Sequence, residues 1–435
     1  MKKTFQGGVH PPQLKKLTSK ASIKKAKLPK QAVIPLSQHI GAVCQPTVSV
    51  GDNVKTGSLI GKSEKFISSR VHSSVSGKVI MIEPRPHPLL GMCNAVVIES
   101  DGKDETGFAG DAINIDSLKP NEIIDIVKQA GIVGLGGACF PTHAKLTLLP
   151  NKKIDTFILN GAECEPYLSC DHRLMLERPE DVIKGMLLMM KAVGVARGII
   201  AIEDNKPDAI EAMRSVAYNL QPTTYNLNIV SLPTKYPQGS EKQIIKVLLN
   251  REVPAGGLPF DVGCLVDNVA TALAIYEAAY HKKPLYERVV TVCGSAIKEQ
   301  TNLLVRIGTQ VCDLIEECGS LKENLGKIIF GGPMMGFSQH TMDVPVVKAT
   351  SGIIFLSKEE LDKSKESVCI RCGKCLDTCP IRLVPTMFMN LVKQDRFGEA
   401  KALGIENCYE CGSCAYECPA KIPLLDYIKL GKSKI

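Results

Sequence analysis

The chain has 435 residues, more than a single hydrophobic core supports, so the sequence predicts three or more domains. Hydrophobic residues make up 44% and charged residues 23%, which is typical of a globular protein. Trp is absent and aromatic residues make up only 5%, which argues against a large surface that stacks nucleobases or sugars. The net charge of +8 owes much to lysines near both ends and favours an acidic partner or a membrane surface over nucleic acid.

No stretch of the sequence approaches the roughly 20 apolar residues that a membrane-spanning helix needs. Residues 1–8 contain no apolar core of a secretory signal. We therefore expect a cytoplasmic protein that reaches any membrane peripherally. In that compartment the 17 cysteines are expected to bind metal rather than to form disulfides.

Residues 1–30 read as a basic, extended lead-in, and residues 31–112 as a small all-β domain. Its clearest strand signals are Val48–Val54 and Val75–Ile80, whose glycine turns resemble those of the lipoyl/biotinyl sandwich. Lys65 as an acylated carrier lysine is one alternative. Its spacing to both turns departs from the carrier pattern, so an unmodified β-sandwich is favoured.

Residues 113–285 alternate strands with helices, which predicts a Rossmann-like α/β domain. The expected buried parallel strands are Thr156–Asn160 and Gly198–Ile202. The expected helices are Pro179–Val193 and Pro207–Leu220. Residues 286–355 carry strands around a helix at Val311–Cys318, which indicates a small α+β domain. Glu359–Glu366 reads as a charged helical connector to the last domain, residues 356–435.

Two cysteine runs with the pattern C-x₂-C-x₂-C-x₃-C-P give the strongest signal in the chain. This is the bacterial ferredoxin run, in which the fourth cysteine of each run ligates the cluster of the other. One 4Fe–4S cluster is therefore assigned to Cys369, Cys372, Cys375 and Cys418, and the second to Cys408, Cys411, Cys414 and Cys379. A pair of zinc sites is the alternative, but zinc favours two C-x₂-C pairs around one ion, which fits these runs poorly.

A glycine-rich loop, residues 131–141, is followed by Lys145. Glycines let backbone N–H groups approach a phosphate, and the lysine can neutralise it. No Gly-Lys-Ser/Thr follows, so the loop is not a Walker motif, and alone it could equally be a structural turn. A second loop places Glu163 and Glu165 after the strand that ends at Asn160, where open α/β sheets bind ligands. On their own these acids would be solvated loop residues.

Together these loops resemble the flavin-binding signature of the NADH-oxidising flavoprotein subunit of respiratory complex I. Segments Tyr236–Glu241 and Val266–Thr271 resemble two further loops of that family. With the opening Phe5–Pro12 and the order of domains, the chain resembles the RnfC subunits of the Rnf ion-translocating electron transport complexes. That relationship implies a β-grasp-like fold for residues 286–355, which would be a soluble-ligand-binding domain.

The resemblance implies bound FMN, with NAD(H) as substrate. The implied cofactor-binding residues are Gly134, Gly136, Gly137, Phe140, Lys145, Asn160, Glu163, Tyr236, Gly239, Glu241, Asn268 and Thr271. Lys145, Asn268 and Thr271 would lie near the flavin phosphate, and Asn160 and Glu163 would face the flavin. Glu165, Phe140 and Tyr236 would border the NAD(H) pocket. Glu163 and Glu165 are the catalytic candidates, and they would position ligands rather than transfer protons.

The implied activity is ferredoxin:NAD⁺ oxidoreduction, or its reverse, coupled to Na⁺ or H⁺ translocation by a membrane-embedded complex. The chain departs from the complex I pattern at Cys139, Leu146 and Ser240, which puts the adenine-side contacts in question. Two alternatives stay open. One is a soluble flavoprotein of the cobalamin-reductase type, and the other is a non-enzymatic iron–sulfur carrier with a structural α/β domain.

Overall fold

The computed structural model describes residues 4–108, 115–147, 152–220, 224–322 and 324–435. Its first strands are β1 (Ile23–Lys25), β2 (Gln31–Pro35), β3 (Gln45–Pro46), β4 (Asn53–Val54), β5 (Leu59–Lys62), β6 (Val71–His72), β7 (Gly77–His87) and β8 (Gly91–Ser100). Strands β2-β8-β7-β4 form one antiparallel sheet, and β3-β5-β6 form another. The predicted strand at Val48–Val54 is confined to β4, because residues 48–51 form a turn in which the Asp52 carboxylate accepts the Ser49 N–H at 2.8 Å.

The α/β domain follows the predicted alternation. Its elements are α1 (Pro120–Gln129), α2 (Thr142–Leu146), β9 (Thr156–Gly161), α3 (Cys170–Glu177), α4 (Pro179–Val193), β10 (Arg197–Glu203), α5 (Pro207–Leu220), β11 (Asn226–Leu232), α6 (Glu241–Leu249), β12 (Cys264–Asn268) and α7 (Val269–His281). The strands form a parallel sheet in the order β11-β10-β9-β12. Helices α4 and α7 cross at Gly185, where an added Cβ would lie 1.9 Å from the Ala272 carbonyl oxygen. Their close packing therefore requires glycine there.

A mixed sheet forms the third domain. Its elements are β13 (Glu287–Cys293), β14 (Thr301–Arg306), α8 (Val311–Glu317), β15 (Leu325–Phe330), β16 (Phe337–Gln339) and β17 (Gly352–Ser357). The strand order is β1-β14-β13-β17-β15-β16, and β1 pairs in parallel with β14. The basic lead-in is thus built into a distant sheet rather than being a simple extended segment.

The last domain consists of short helices around the two cysteine runs. They are α9 (Lys374–Asp377), α10 (Pro385–Val392), α11 (Phe397–Ala402), α12 (Ser413–Tyr416) and α13 (Leu424–Ser433). The helical connector predicted at Glu359–Glu366 is wrong, since this stretch contains turns and non-helical chain. Its acids bind nearby polar groups instead: Glu360 accepts the Ser357 N–H at 3.1 Å, which favours a turn over a helix.

Within the described residues, no helix combines the length and apolar character that crossing a bilayer would require.

Candidate functional site

The carboxyl edge of the parallel sheet is organised by two asparagines. Asn160 at the end of β9 lies in register with Asn268 at the end of β12. The side-chain Oδ1 of Asn268 caps α7 by accepting the Ala270 N–H at 2.8 Å. The side-chain Nδ2 of Asn268 donates to the Asp171 carboxylate at 2.7 Å. The Asn160 amide donates to the Gly239 carbonyl at 2.8 Å. This edge is therefore held by side-chain hydrogen bonds at the N-terminus of a helix, which favours anions.

The glycine-rich loop lies against the same helix. The Gly134 N–H donates to the Phe140 carbonyl at 2.9 Å, which closes the loop. The Leu135 N–H donates to the Thr271 hydroxyl at 3.0 Å, which fastens the loop to the first turn of α7. Gly137 has φ +128°, and no atom lies within 4 Å of where its Cβ would stand. The loop thus presents an open backbone face beside a helix N-terminus.

Polar groups, some of them fully buried, lie on the elements that follow the glycine-rich loop and the sheet edge. The Lys145 ammonium binds the Glu241 carboxylate at 2.6 Å. Burial acts against its charge, but the carboxylates of Glu241 and Asp267 raise the pKa of Lys145. Burial raises the pKa of Asp267, and its Oδ2 atom has no hydrogen-bond partner among the described residues. The amide of Gln238, fully buried, likewise lacks a partner at both atoms there. These groups fit a polar ligand.

Hydrogen bonds from α3 and from the N-terminal segment hold the loop that follows β9. Glu163 has φ +46°, and its carboxylate accepts the Asp171 N–H at 2.7 Å. The buried Lys15 ammonium donates to the Glu163 carbonyl oxygen. Burial and the neighbouring Glu163 carboxylate raise the pKa of Asp171 to about 7. Burial, followed by the same acids, raises the pKa of the adjacent Cys170 thiol well above its usual value, so that thiol stays protonated near neutral pH.

Glu165 lies where three domains meet. Its carboxylate accepts the N–H groups of Met334 and Met335 at 3.0 and 2.9 Å. Burial raises the pKa of Glu165 to about 7, although these two donors oppose the shift. Tyr236 is only 1% exposed, and its hydroxyl donates to the Cys411 carbonyl at 2.7 Å. The structure therefore places Glu165 and Tyr236 at a domain junction, with Tyr236 closed off from solvent.

The two cysteine runs lie side by side. Cys379 is close enough to the second run that its charge helps to raise the pKa values of Cys408, Cys411 and Cys414, with burial as the main cause. Cys375, Cys414 and Cys418 pack in one apolar cluster, with Cys369 against it. Both fourth cysteines thus lie next to the other run, as a crossed arrangement requires.

The spacing of the sulfur atoms bears on the zinc alternative. Tetrahedral zinc with bonds of about 2.3 Å brings its thiolates within about 3.8 Å of one another. Among the described residues, one group of three Cys, His, Asp or Glu ligand atoms lies mutually within 4.8 Å. It consists of Glu163, Cys170 and Asp171. Within the described residues, no three ligand atoms of the cysteine runs lie that close together.

Three residues of this region were not predicted as site residues. They are Lys15, Asp171 and Gln238. Lys15 is separated from its contact by 148 positions, so no local pattern marks it. Gln238 lies inside the segment Tyr236–Glu241, where a polar residue between a proline and a glycine is the only signal.

Four domain families match the chain. The Nuo51 FMN-binding domain matches residues 127–277, and the RnfC barrel sandwich hybrid domain matches residues 3–103. The SLBB domain matches residues 289–338, and the 4Fe-4S dicluster domain matches residues 361–419. The glycine loop and the cysteine runs therefore belong to an FMN-binding iron–sulfur protein, and the predictions of FMN and of two 4Fe–4S clusters are confirmed at this level.

Full-length relatives narrow the class. The RnfC-type subunit of the proton-translocating ferredoxin:NAD(+) oxidoreductase complex of Clostridium ljungdahlii is 50% identical, covering 100% of this chain and 94% of the relative. The Na(+)-translocating counterpart of Acetobacterium woodii is 46% identical, covering 99% and 97%. The equivalent subunit of the ion-translocating oxidoreductase complex of Rhodobacter capsulatus is 41% identical, covering 99% and 83%. The chain belongs to the RnfC family of subunits of ion-translocating oxidoreductase complexes, which confirms the predicted relationship.

Among solved structures, a chain of an NAD⁺-reducing [NiFe]-hydrogenase in the air-oxidized state is similar, with a TM-score of 0.52 and 18% identity. The match covers 73% of this chain and 64% of that one, and at this identity it speaks for the fold alone.

Proposed function

We propose that this chain is the NAD(H)-binding flavoprotein and iron–sulfur subunit of a membrane-bound complex. The complex transfers electrons between ferredoxin and NAD⁺ and couples that transfer to transport of Na⁺ or H⁺, as the names of its relatives state for them. The observation that carries the proposal is the hydrogen bond from Tyr236 to Cys411, because it joins the FMN-binding domain directly to a cysteine run. An electron carrier with an unrelated structural α/β domain has no need of this junction.

FMN would be held by the glycine-rich loop and the first turn of α7. Its phosphate would take N–H groups near Gly136 and Gly137, with Lys145, Asn268 and Thr271 close by. The open space at Gly137 is a cradle that a side chain would fill, which fits this role. The Asp267 Oδ2 atom and the Gln238 amide, which have no hydrogen-bond partner among the described residues, would complete the polar lining. When bound, FMN supplies the exchange between two-electron and one-electron transfer.

The acidic loop would orient ligands. Glu163 ties the loop to the start of α3, and Lys15 fixes its main chain, so the loop is rigid before any ligand arrives. Glu165 would border the nicotinamide side from the domain junction, with the buried Tyr236 behind it. We assign them positioning roles, since a hydride step requires no proton donor from the protein.

The clusters would have crossed ligands. Cys369, Cys372, Cys375 and Cys418 would hold one, and Cys408, Cys411, Cys414 and Cys379 the other. The second set lies beside the FMN-binding domain through Cys411, whereas the first includes Cys372, which is exposed. Electrons would therefore pass between FMN and an external partner through the second set and then the first.

We further propose the domain boundaries 31–112, 113–285, 286–355 and 356–435 after the basic segment 1–30. In this division the folds are a lipoyl/biotinyl-like sandwich, a Rossmann-like FMN domain, a β-grasp-like domain and a helical ferredoxin-like module. The protein would bind peripherally to the cytoplasmic face of the membrane through the other subunits of the complex.

Anaerobic cofactor analysis tests this function. Purified protein should contain about eight irons, as two cubanes require, and one noncovalent FMN per chain. NADH should bleach the flavin absorbance. Protein with eight irons but no flavin would favour the non-enzymatic carrier. Recovery of the native protein in the soluble fraction, apart from membranes, would favour the cobalamin-reductase alternative.

A further inference from the structure

The segment Phe5–Val9 lies between the FMN-binding domain and the ferredoxin-like module. The Gly8 N–H donates to the Thr378 carbonyl at 2.8 Å, next to the proposed ligand Cys379. The following residue, Val9, exchanges two main-chain hydrogen bonds with Tyr236, at 2.8 and 2.9 Å. Two consecutive residues therefore bind two different domains.

Two glycines make this path sterically feasible. Gly7 has φ +73°, and an added Cβ would lie 2.7 Å from the Cys379 carbonyl oxygen. Gly8 has φ +79°, and its Cβ would lie 2.6 Å from the Tyr236 carbonyl oxygen. In both cases the opposing atom belongs to the backbone and cannot move aside as a side chain would. Both positions thus require glycine for conformation and for space.

The segment is fixed on the FMN-binding side. Phe5 is 5% exposed and packs in an apolar cluster that includes Ile158 of β9 and Leu232 of β11. The Lys235 ammonium donates to the Phe5 carbonyl at 2.8 Å and lies 4.4 Å from the centre of its ring. On the other side the contact reaches the main chain at Thr378 and Cys379. A shift of the segment would consequently disturb the contact between the two domains, which the Tyr236–Cys411 hydrogen bond also joins.

We propose that Phe5–Val9 is a latch that fixes the separation between FMN and the cluster of Cys408, Cys411, Cys414 and Cys379. Gly7 and Gly8 are then positioning residues for electron transfer inside the chain. This inference rests on the proposed function of the two sites. Electron transfer between separate centres weakens steeply with distance, so a displaced module slows it without removing either cofactor.

The test follows electron transfer from the reduced clusters to NAD⁺, which is the direction that a low-potential donor drives. Full-length protein with its cofactors is reduced with dithionite, freed of excess reductant and mixed with NAD⁺ under anaerobic stopped flow. Dithionite would also reduce FMN, so a fully reduced chain holds four electrons, two on the flavin and one on each cluster. The flavin's two would convert a first NAD⁺ to NADH with release of a proton, and the two cluster electrons would then convert a second NAD⁺ and one proton to NADH. The rate of cluster reoxidation is measured per cluster present.

Gly8→Ala is compared with wild type and with Gly102→Ala. Gly102 has φ +71°, similar to Gly8, but no atom lies within 4 Å of its added Cβ. The control therefore carries similar backbone strain without the contact. We expect Gly8→Ala to keep iron and FMN and to reoxidise its clusters roughly tenfold more slowly or worse, as small misplacements of reacting centres do. The control should match wild type.

A structural readout accompanies the kinetics. Hydrogen exchange of the backbone around Thr378 and Cys411 should accelerate in Gly8→Ala and stay unchanged in Gly102→Ala. Lys235→Met, which removes an anchor of Phe5 away from the cysteines, should slow reoxidation by a smaller factor. Equal reoxidation rates in wild type, Gly8→Ala and Lys235→Met would overturn the latch. Wild-type protein that binds no FMN, or whose clusters never reduce NAD⁺, would instead overturn the proposed function.

Discussion

The hydroxyl of Tyr236 donates to the main-chain carbonyl of Cys411, with 2.7 Å between the two oxygen atoms. Burial, followed by the charge of Glu165, raises the pKa of this phenol well above its usual value, so it remains a donor across the physiological range. The bond is therefore a permanent polar link between the FMN-binding domain and a proposed cluster ligand. Its consequences can be tested at the cofactor sites on either side of it.

Lys145→Ala should weaken FMN binding and leave the iron content unchanged. Loss of one hydrogen bond to a charged group costs about 1.5–3 kcal/mol, which is roughly a 10- to 100-fold weaker affinity. FMN and iron are measured after anaerobic gel filtration. Lys152→Ala serves as the control, because Lys152 pairs with Asp261 in the same domain. Release of FAD on acid precipitation, or a covalently bound flavin, would contradict this assignment.

Cys418→Ala should damage the cluster of Cys369, Cys372 and Cys375 although it lies in the other run. Electron paramagnetic resonance of the reduced protein resolves which cluster signal is lost. The opposite result, loss of the signal from the Cys408 set, would show that the ligands are not crossed.

Cys379→Ala is the reciprocal change and should remove the cluster beside the FMN-binding domain. NADH should still bleach the flavin in this variant, but the remaining cluster should exchange electrons with it much more slowly. The rates of cluster reoxidation in Cys418→Ala and Cys379→Ala, measured as for the latch, show which cluster lies nearer to FMN. Equal impairment of both variants would argue against that order.

Glu165 should make stability depend on pH. Its pKa is about 7 in the folded protein, against an ordinary value of 4.5. Between these values the folded chain holds a proton that the unfolded chain has lost, so the free energy of unfolding falls as pH rises from about 4.5 to 7. Glu165→Gln removes this titration. Its melting temperature relative to wild type should therefore be higher at pH 8 than at pH 5. Glu211→Gln on the exposed side of α5 should show no such change.

Membrane attachment should withstand high salt. Lysines such as Lys15 and Lys24 would each add about 1 kcal/mol near an anionic bilayer if exposed, but salt screens that attraction. Docking through buried contacts is screened much less. Washing native membranes with concentrated salt should leave most of the protein attached, and membranes without the other subunits should retain little. Tight binding of the isolated chain to anionic liposomes at physiological salt would contradict docking.

Lys15 shows that a lysine's place in the sequence does not decide whether it is exposed. The sequence places it in a run of basic residues, whereas its ammonium is buried against Glu163 and its pKa is lowered, chiefly by burial. It is therefore unavailable to a bilayer. Lys24, whose main chain pairs with Leu303 in the mixed sheet, keeps an exposed side chain.

Local signals made much of the fold predictable. Helices α4 and α5 begin at the predicted residues because each starts with proline, and α4 ends at the predicted Val193 because Gly194 takes the left-handed conformation. The two asparagines of the site were expected only from the resemblance of their loops to those of the complex I flavoprotein subunit. In contrast, β1 depends on a partner strand nearly 280 positions away, and Gln238 is unusual only in lacking a partner among the described residues. Such relationships depend on contacts between distant parts of the chain, which produce no periodic pattern in the sequence.

The contact between Gly8 and Thr378 can form only after most of the chain has been synthesised, so it comes late in folding. A ribosome adding about 5–20 residues each second needs about 20–70 s to travel from one position to the other. During that time Phe5–Val9 has no module to bind, and the site next to Cys379 forms only once the C-terminal cysteines have emerged. Closure of the N-terminal segment is thus a late event in biogenesis, after synthesis of the proposed iron ligands.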